Sequence, residues 1–117
     1  MKIELSDVQT IGEGIFRPEG VMALDDGSIY AADGRGQIAH VRRDGQTLLF
    51  GELGGVPNGI CLDGRGNCIV ANIGNGQVQS LRPDGRHEVL LTEDEGTRIS
   101  SPNFPFVDSK GRLWVSN

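Results

Sequence analysis

Short apolar runs recur along this chain, each cut off by a polar turn that carries glycine. Val21–Leu24 meets Asp25-Asp26-Gly27, Ile29–Ala32 meets Asp33-Gly34-Arg35-Gly36, Gln37–Val41 meets Asp44-Gly45, and Thr47–Phe50 closes the series. Runs this short predict strands, because a helix needs an apolar stripe sustained over about ten residues or more. Asp-Gly between two such runs predicts a hairpin, since the turn requires positive φ. A second set follows the same plan, with strands near Ile60–Leu62, Cys68–Ala71, Gln77–Leu81 and Glu88–Leu91. Its turns are Asp63-Gly64-Arg65-Gly66, Gly74-Asn75-Gly76 and Pro83-Asp84-Gly85. A third set supplies only Phe106–Val107 and Leu113–Ser116, and a partly apolar lead-in, Ile3–Phe16, contains Gly12-Glu13-Gly14.

The sets are copies of one phrase. Pro18-Glu19-Gly20, Pro57-Asn58-Gly59 and Pro102-Asn103-Phe104 open them. Nine residues after each proline stands Gly27, Gly66 or Gly111, and fifteen residues after it Asp33, Asn72 or Asn117. Repeats of roughly 40–45 residues built from short strands are the mark of propeller blades. The predicted fold is all-β, a β-propeller, with blades at about 17–51 and 56–92 and an incomplete one at 101–117. Strands one and two of each copy are apolar on both faces, as expected for inner strands between stacked sheets, while strands three and four alternate more and are expected at the rim. About two and a half four-stranded blades cannot close a ring. The first and last sheets are expected to present bare apolar faces, and residues 1–117 to form the N-terminal portion of a single, longer propeller domain.

Composition narrows the partners. The chain has 117 residues, 18 of them glycine, and a net charge of -5. A duplex nucleic-acid binder would carry a basic stripe, and the densest basic point here is Arg42-Arg43 at a turn. Residues 1–10 lack a signal-peptide core and no stretch has the length of a membrane span, so the expected address is cytoplasmic. Cys61 and Cys68 fall where the other copies have Met22, Ile29, Phe106 and Leu113, which predicts buried free thiols. A cross-strand disulfide across the Gly64-Arg65 turn is the alternative.

The second position of each phrase is where chemistry is expected. Glu19, Asn58 and Asn103 precede successive inner strands, so rotational repetition would point them at one axis. One carboxylate and two amide oxygens suit a hard cation such as calcium; the amides could instead bind sugar hydroxyls or a polarised carbonyl. The structural alternative is turn capping, strongest for Asn58 between proline and glycine. Asp33, Asn72 and Asn117 read as a repeated cap, and Asp63 and Asp108 as turn residues. His40 and His87 share no repeat position and read as rim residues. Glu93-Asp94-Glu95 reads as a solvated loop. The chain has no Gly-x-Ser-x-Gly elbow and no phosphate loop.

Two stretches resemble the regucalcin–gluconolactonase family, the senescence marker protein group. They are Gly12-Glu13-Gly14 through Pro18-Glu19-Gly20, and Ser101-Pro102-Asn103 with Val107-Asp108-Ser109-Lys110-Gly111-Arg112-Leu113-Trp114-Val115. The resemblance implies a six-bladed propeller with one divalent metal in its channel, calcium first, with zinc or magnesium as alternatives. It also implies hydrolysis of small-molecule lactones or related esters. On that pattern Glu19 binds the metal, and Asn103 contacts substrate or water. Asn58 holds the analogous place in blade two, as a second substrate-binding residue. The remaining ligands and the catalytic base, an aspartate, are expected beyond Asn117. Where the family often has an arginine, two residues before Asn103, this chain has Ser101, with Arg98 nearby but out of register; that departure bears on sugar-lactone specificity. Two other functions stay open: a non-catalytic propeller binding calcium or another ligand, and a strictosidine-synthase-like propeller, which needs no metal.

Overall fold

A computed structural model describes residues 1–117. A single 3-10 turn, Leu5–Asp7, precedes twelve strands. The first sheet is a meander of β1 (Val21–Ala23), β2 (Ile29–Asp33), β3 (Gln37–Val41) and β4 (Thr47–Phe50). The second repeats it with β5 (Pro57–Leu62), β6 (Cys68–Asn72), β7 (Gln77–Leu81) and β8 (His87–Leu91). A small hairpin follows, β9 (Glu93–Asp94) with β10 (Thr97–Arg98), and then β11 (Pro105–Val107) pairs with β12 (Leu113–Val115). All pairings are antiparallel. No helix is long and apolar enough to cross a membrane.

Five hairpins share one turn. In the turn after β5 the Asp63 N–H donates to Asn67 C=O at 3.0 Å, and Gly66 N–H donates back to Asp63 C=O at 3.2 Å. Gly66 has φ +83°, the left-handed geometry that a type I turn with a following bulge demands. The aspartate carboxylate accepts the N–H two residues on, from Arg65 in this turn and from Ser28, Gln46, Arg86 and Lys110 in others. Asp63 and Asp108 are therefore turn residues, as expected.

Two apolar layers hold the sheets together. Between the first and second sheets lie Tyr30, Ala32, Ile38, Leu53, Ile60, Cys68, Val70 and Leu81. Between the second and third lie Cys61, Ile69 and Val78 against Val107 and Val115. The middle sheet is covered on both faces, so β5 and β6 are almost wholly buried. The strand ranking differs from expectation at both ends. β7 is buried despite its alternation, with Gln79 bonded inside to Asn72, Leu53 C=O and Gln77, and within the two four-stranded sheets only β8 is wholly exposed. The inner strand β1 is largely exposed as the edge strand of the first sheet, while β2 and β3 of that sheet are largely buried. Phe106 and Trp114, cross-strand partners in the third sheet, are 62% and 56% exposed, the bare apolar face the repeat implies.

The inner strands approach unusually closely. A Cβ on Gly20 would stand 2.6 Å from Asn58 C=O, and one on Gly59 would stand 2.5 Å from Asn103 C=O. Gly59 N–H donates to that same oxygen at 2.9 Å. Glycine at the third position of the phrase therefore sets how near consecutive blades come.

Candidate functional site

The ends of the inner strands are fixed by a clamp repeated in each blade. Asp33 Oδ2 accepts the Phe16 N–H at 2.9 Å, and Gly34 N–H donates to Phe16 C=O at 2.8 Å. Asn72 Oδ1 accepts the Val56 N–H at 2.8 Å, and Ile73 N–H donates to Val56 C=O at 3.1 Å. Asn117 Oδ1 accepts the Ser101 N–H at 2.9 Å. The end of strand two in each blade thus holds the segment leading into strand one, which is why all three positions carry a side-chain oxygen. Asn72 uses its Nδ2 as well, donating to Gly54 C=O and Gln79 Oε1. Asp33 is instead gripped by Arg35, at 2.8 Å from Nε and 2.6 Å from Nη2. That fork, with the Phe16 and Arg35 N–H groups, overcomes burial and holds the carboxyl at about 2.

On this frame Glu19, Asn58 and Asn103 lie side by side across three blades. Asn58 is buried at the start of β5, where a bulge between Pro57 and Ile60 breaks the ladder and re-aims the chain. It caps no turn: its Nδ2 donates to Asn103 C=O of the next blade at 3.1 Å. Its Oδ1 faces the other way and accepts from Arg17 Nη1 at 3.4 Å. Arg17 Nη2 lies 3.4 Å from Glu19 Oε1. Asn103 is exposed, tied down by its backbone alone, with its side chain outside the hydrogen-bond network. Arg17 is not marked by the repeat itself. Its signal was a spacing: Phe16-Arg17-Pro18 has one residue more than Val56-Pro57 or Ser101-Pro102.

The donor set speaks to which cation fits. No three His, Cys, Asp or Glu side chains come together anywhere in the chain; the side-chain oxygen that shares Arg17 with Glu19 is the Asn58 amide. All-oxygen donors favour calcium or magnesium over zinc. The Glu19 and Asn58 oxygens already converge on a cationic group, the Arg17 guanidinium, so these residues fit as part of a hard-cation site.

Other expectations resolve simply. Cys61 pairs with Ile69 and Cys68 with Leu62, so the two thiols point to opposite faces of the sheet. Each lies in a different apolar layer, which removes the disulfide alternative; both are buried and free. Burial pushes Cys68 up to about 12. His87 is exposed, and His40 is half-buried against Tyr30. His40 Nε2 lies 2.9 Å from Ser28 Oγ, which lies 2.6 Å from Asp26 Oδ1. A carboxylate only accepts, so Ser28 gives its hydrogen to Asp26 and accepts one from His40. His40 therefore is not poised as a base toward Ser28. The Glu93–Glu95 segment is part of a hairpin, turned by Glu95 and Gly96 at φ 46° and 79°. Arg98, on β10, lines a 370 Å³ cleft with Asn75 and Gln77. That cleft adjoins the end of β6, the end at which β5 begins.

The family model for the N-terminal part of strictosidine-synthase-like proteins matches residues 4–41, which include Glu19. No curated protein sequence matches the chain. A gluconolactonase from Xanthomonas campestris superposes with a TM-score of 0.79 at 21% identity, over 88% of this chain and 35% of that one. A protein provisionally assigned as a gluconolactonase gives 0.74 at 25% identity, over 87% and 36%. An inactive variant of virginiamycin B lyase from Staphylococcus aureus gives 0.72 at 16% identity, over 89% and 35%. The chain thus spans about a third of the length of the solved structures it matches. Its fold is part of a β-propeller of the gluconolactonase-like kind.

Proposed function

We propose that this chain contributes the first blades of a metal-dependent lactonase, a carboxylic ester hydrolase acting on small-molecule lactones or related esters. The observation that supports the reading is that the Glu19 and Asn58 side-chain oxygens meet at Arg17, with the Asn103 backbone next to Asn58, on a fold shared with gluconolactonases. A divalent cation bound there, calcium before magnesium or zinc, would supply polarisation of the lactone carbonyl and acidification of water. Glu19 anchors the cation. Asn58, fixed from behind by Asn103 C=O, offers a rigid Oδ1. Asn103, whose amide is free, orients substrate or water. The base is a carboxylate from the rest of the propeller. In the intact protein, lactone hydrolysis is expected to require metal, to stop with chelator, and to fall at least about a hundredfold in Glu19→Gln. Undiminished turnover in that variant removes Glu19 from the reaction.

The match of residues 4–41 to strictosidine-synthase-like proteins supports a second reading, a propeller acting without metal on other substrates. Activity that survives exhaustive chelation would favour it. Calcium binding without turnover of any lactone or ester would instead favour a binding propeller.

A further inference from the structure

In blades two and three the clamped residue stands directly before the proline; in blade one Arg17 is inserted between them. Both flanks of the insertion are fixed. Phe16 is held at N–H and C=O by Asp33 and Gly34, and Gly20 C=O accepts from Ala32 N–H at 2.8 Å. The extra residue is absorbed by a left-handed backbone, φ 50° at Arg17. A side chain is disfavoured there, the more so directly before proline. Gly34 makes room for it, since a Cβ at that position would stand 3.2 Å from Arg17 Cβ. This distortion directs a guanidinium at the Glu19 and Asn58 oxygens. Both contacts are 3.4 Å, long for charge-assisted bonds of usually about 2.7–2.9 Å, and the Arg17 and Glu19 side chains are 41% and 51% exposed.

We infer that Arg17 is the resident cation of the metal-free site, holding the Glu19 and Asn58 oxygens together and withdrawing when a divalent cation takes them. The inference rests on the metal-dependent reading above. A guanidinium and a divalent ion repel one another at the same two oxygens, so one displaces the other. The loose contacts leave the arginine able to swing into solvent. Arg17 is thus a positioning residue that sets metal affinity.

The test is calcium titration of the metal-stripped intact protein by calorimetry, for wild type, Arg17→Gln, Arg17→Gly and Arg17→Lys. Arg17→Gln removes the charge; Arg17→Gly also relieves the left-handed φ and guards against a poorly folded glutamine variant. Both are expected to bind calcium about tenfold more tightly, the scale of a like charge at a partly exposed site, while Arg17→Lys stays within about twofold of wild type. Wild-type binding with equal or weaker affinity in both neutral variants overturns the role of Arg17 alone. No calcium binding by any of the four overturns the metal reading and the inference with it.

Discussion

Replacing Asp33 by asparagine separates two jobs that one side chain performs. Asp33 clamps the lead-in through Phe16 N–H, and it carries a buried charge paired with Arg35. Asparagine keeps an oxygen for the clamp, as Asn72 does in blade two, and gives up the charge. A carboxyl held at about 2 in place of 3.8 contributes on the order of 2 kcal/mol near neutral pH. Solvent screening at the half-exposed Arg35 brings that toward about 1 kcal/mol. The folded-state value lies below the unfolded one. The contribution is therefore fully present above pH about 4 and is lost as pH falls through about 2. Urea unfolding followed by far-ultraviolet circular dichroism, at several pH values between 7 and 2, measures the effect as a difference between wild type and Asp33→Asn. Other carboxylates titrate in both proteins and cancel. The expected gap of about 1–2 kcal/mol at pH 7 closes toward pH 2. Asp33→Ala also removes the acceptor of the Phe16 N–H and widens the gap by about 0.5–1.5 kcal/mol at every pH. A gap between wild type and Asp33→Asn that stays constant across the range would refute the charge argument. Equal stability of the asparagine and alanine variants would refute the clamp.

Two further outcomes follow from the geometry of the inner strands. Gly59→Ala drives a Cβ to 2.5 Å from Asn103 C=O and 2.6 Å from Phe104 Cα, so it is expected to cost about 1–3 kcal/mol. Gly64→Ala meets nothing within 4 Å and serves as the neutral control; equal unfolding midpoints for the two would count against close blade contact. Cys61 and Cys68 are expected to resist a thiol reagent at pH 8 in the folded protein and to react together on unfolding. An intramolecular disulfide formed in the native state would contradict their placement on opposite faces.

The blades and the clamp were legible because each rests on local chemistry. Asp-Gly at a fixed interval marks a hairpin whatever surrounds it, and an oxygen fifteen residues after each proline marks a shared acceptor. The face of each cysteine was not legible in the same way. The turn between Asp63 and Asn67 sets the register Leu62 to Cys68, and a displacement of one residue moves a side chain to the other side of a strand. The β9–β10 hairpin was hidden because its strands are polar and only two residues long. Arg17 was hidden for another reason: its extra residue shows only once Phe16, Val56 and Ser101 are known to be equivalent, and that equivalence lives in hydrogen bonds.

The two places where the repeat is broken lie next to the three oxygen-bearing residues. At Arg17 the break is an insertion with a left-handed backbone; at Phe104 it is an aromatic ring where the other copies have Gly20 and Gly59. Neither serves the blade. Blades two and three form without the insertion, and Phe104 stays 46% exposed with its ring over Gly59. Strain and apolar exposure that the scaffold does not need are expected where a site has its own requirements. A charge between Glu19 and Asn58 and an aromatic ring over Gly59 give Glu19, Asn58 and Asn103 an asymmetric setting, although strict repetition would have made their surroundings alike. That asymmetry is the strongest physical reason to read the row as a binding site and not as three turn caps.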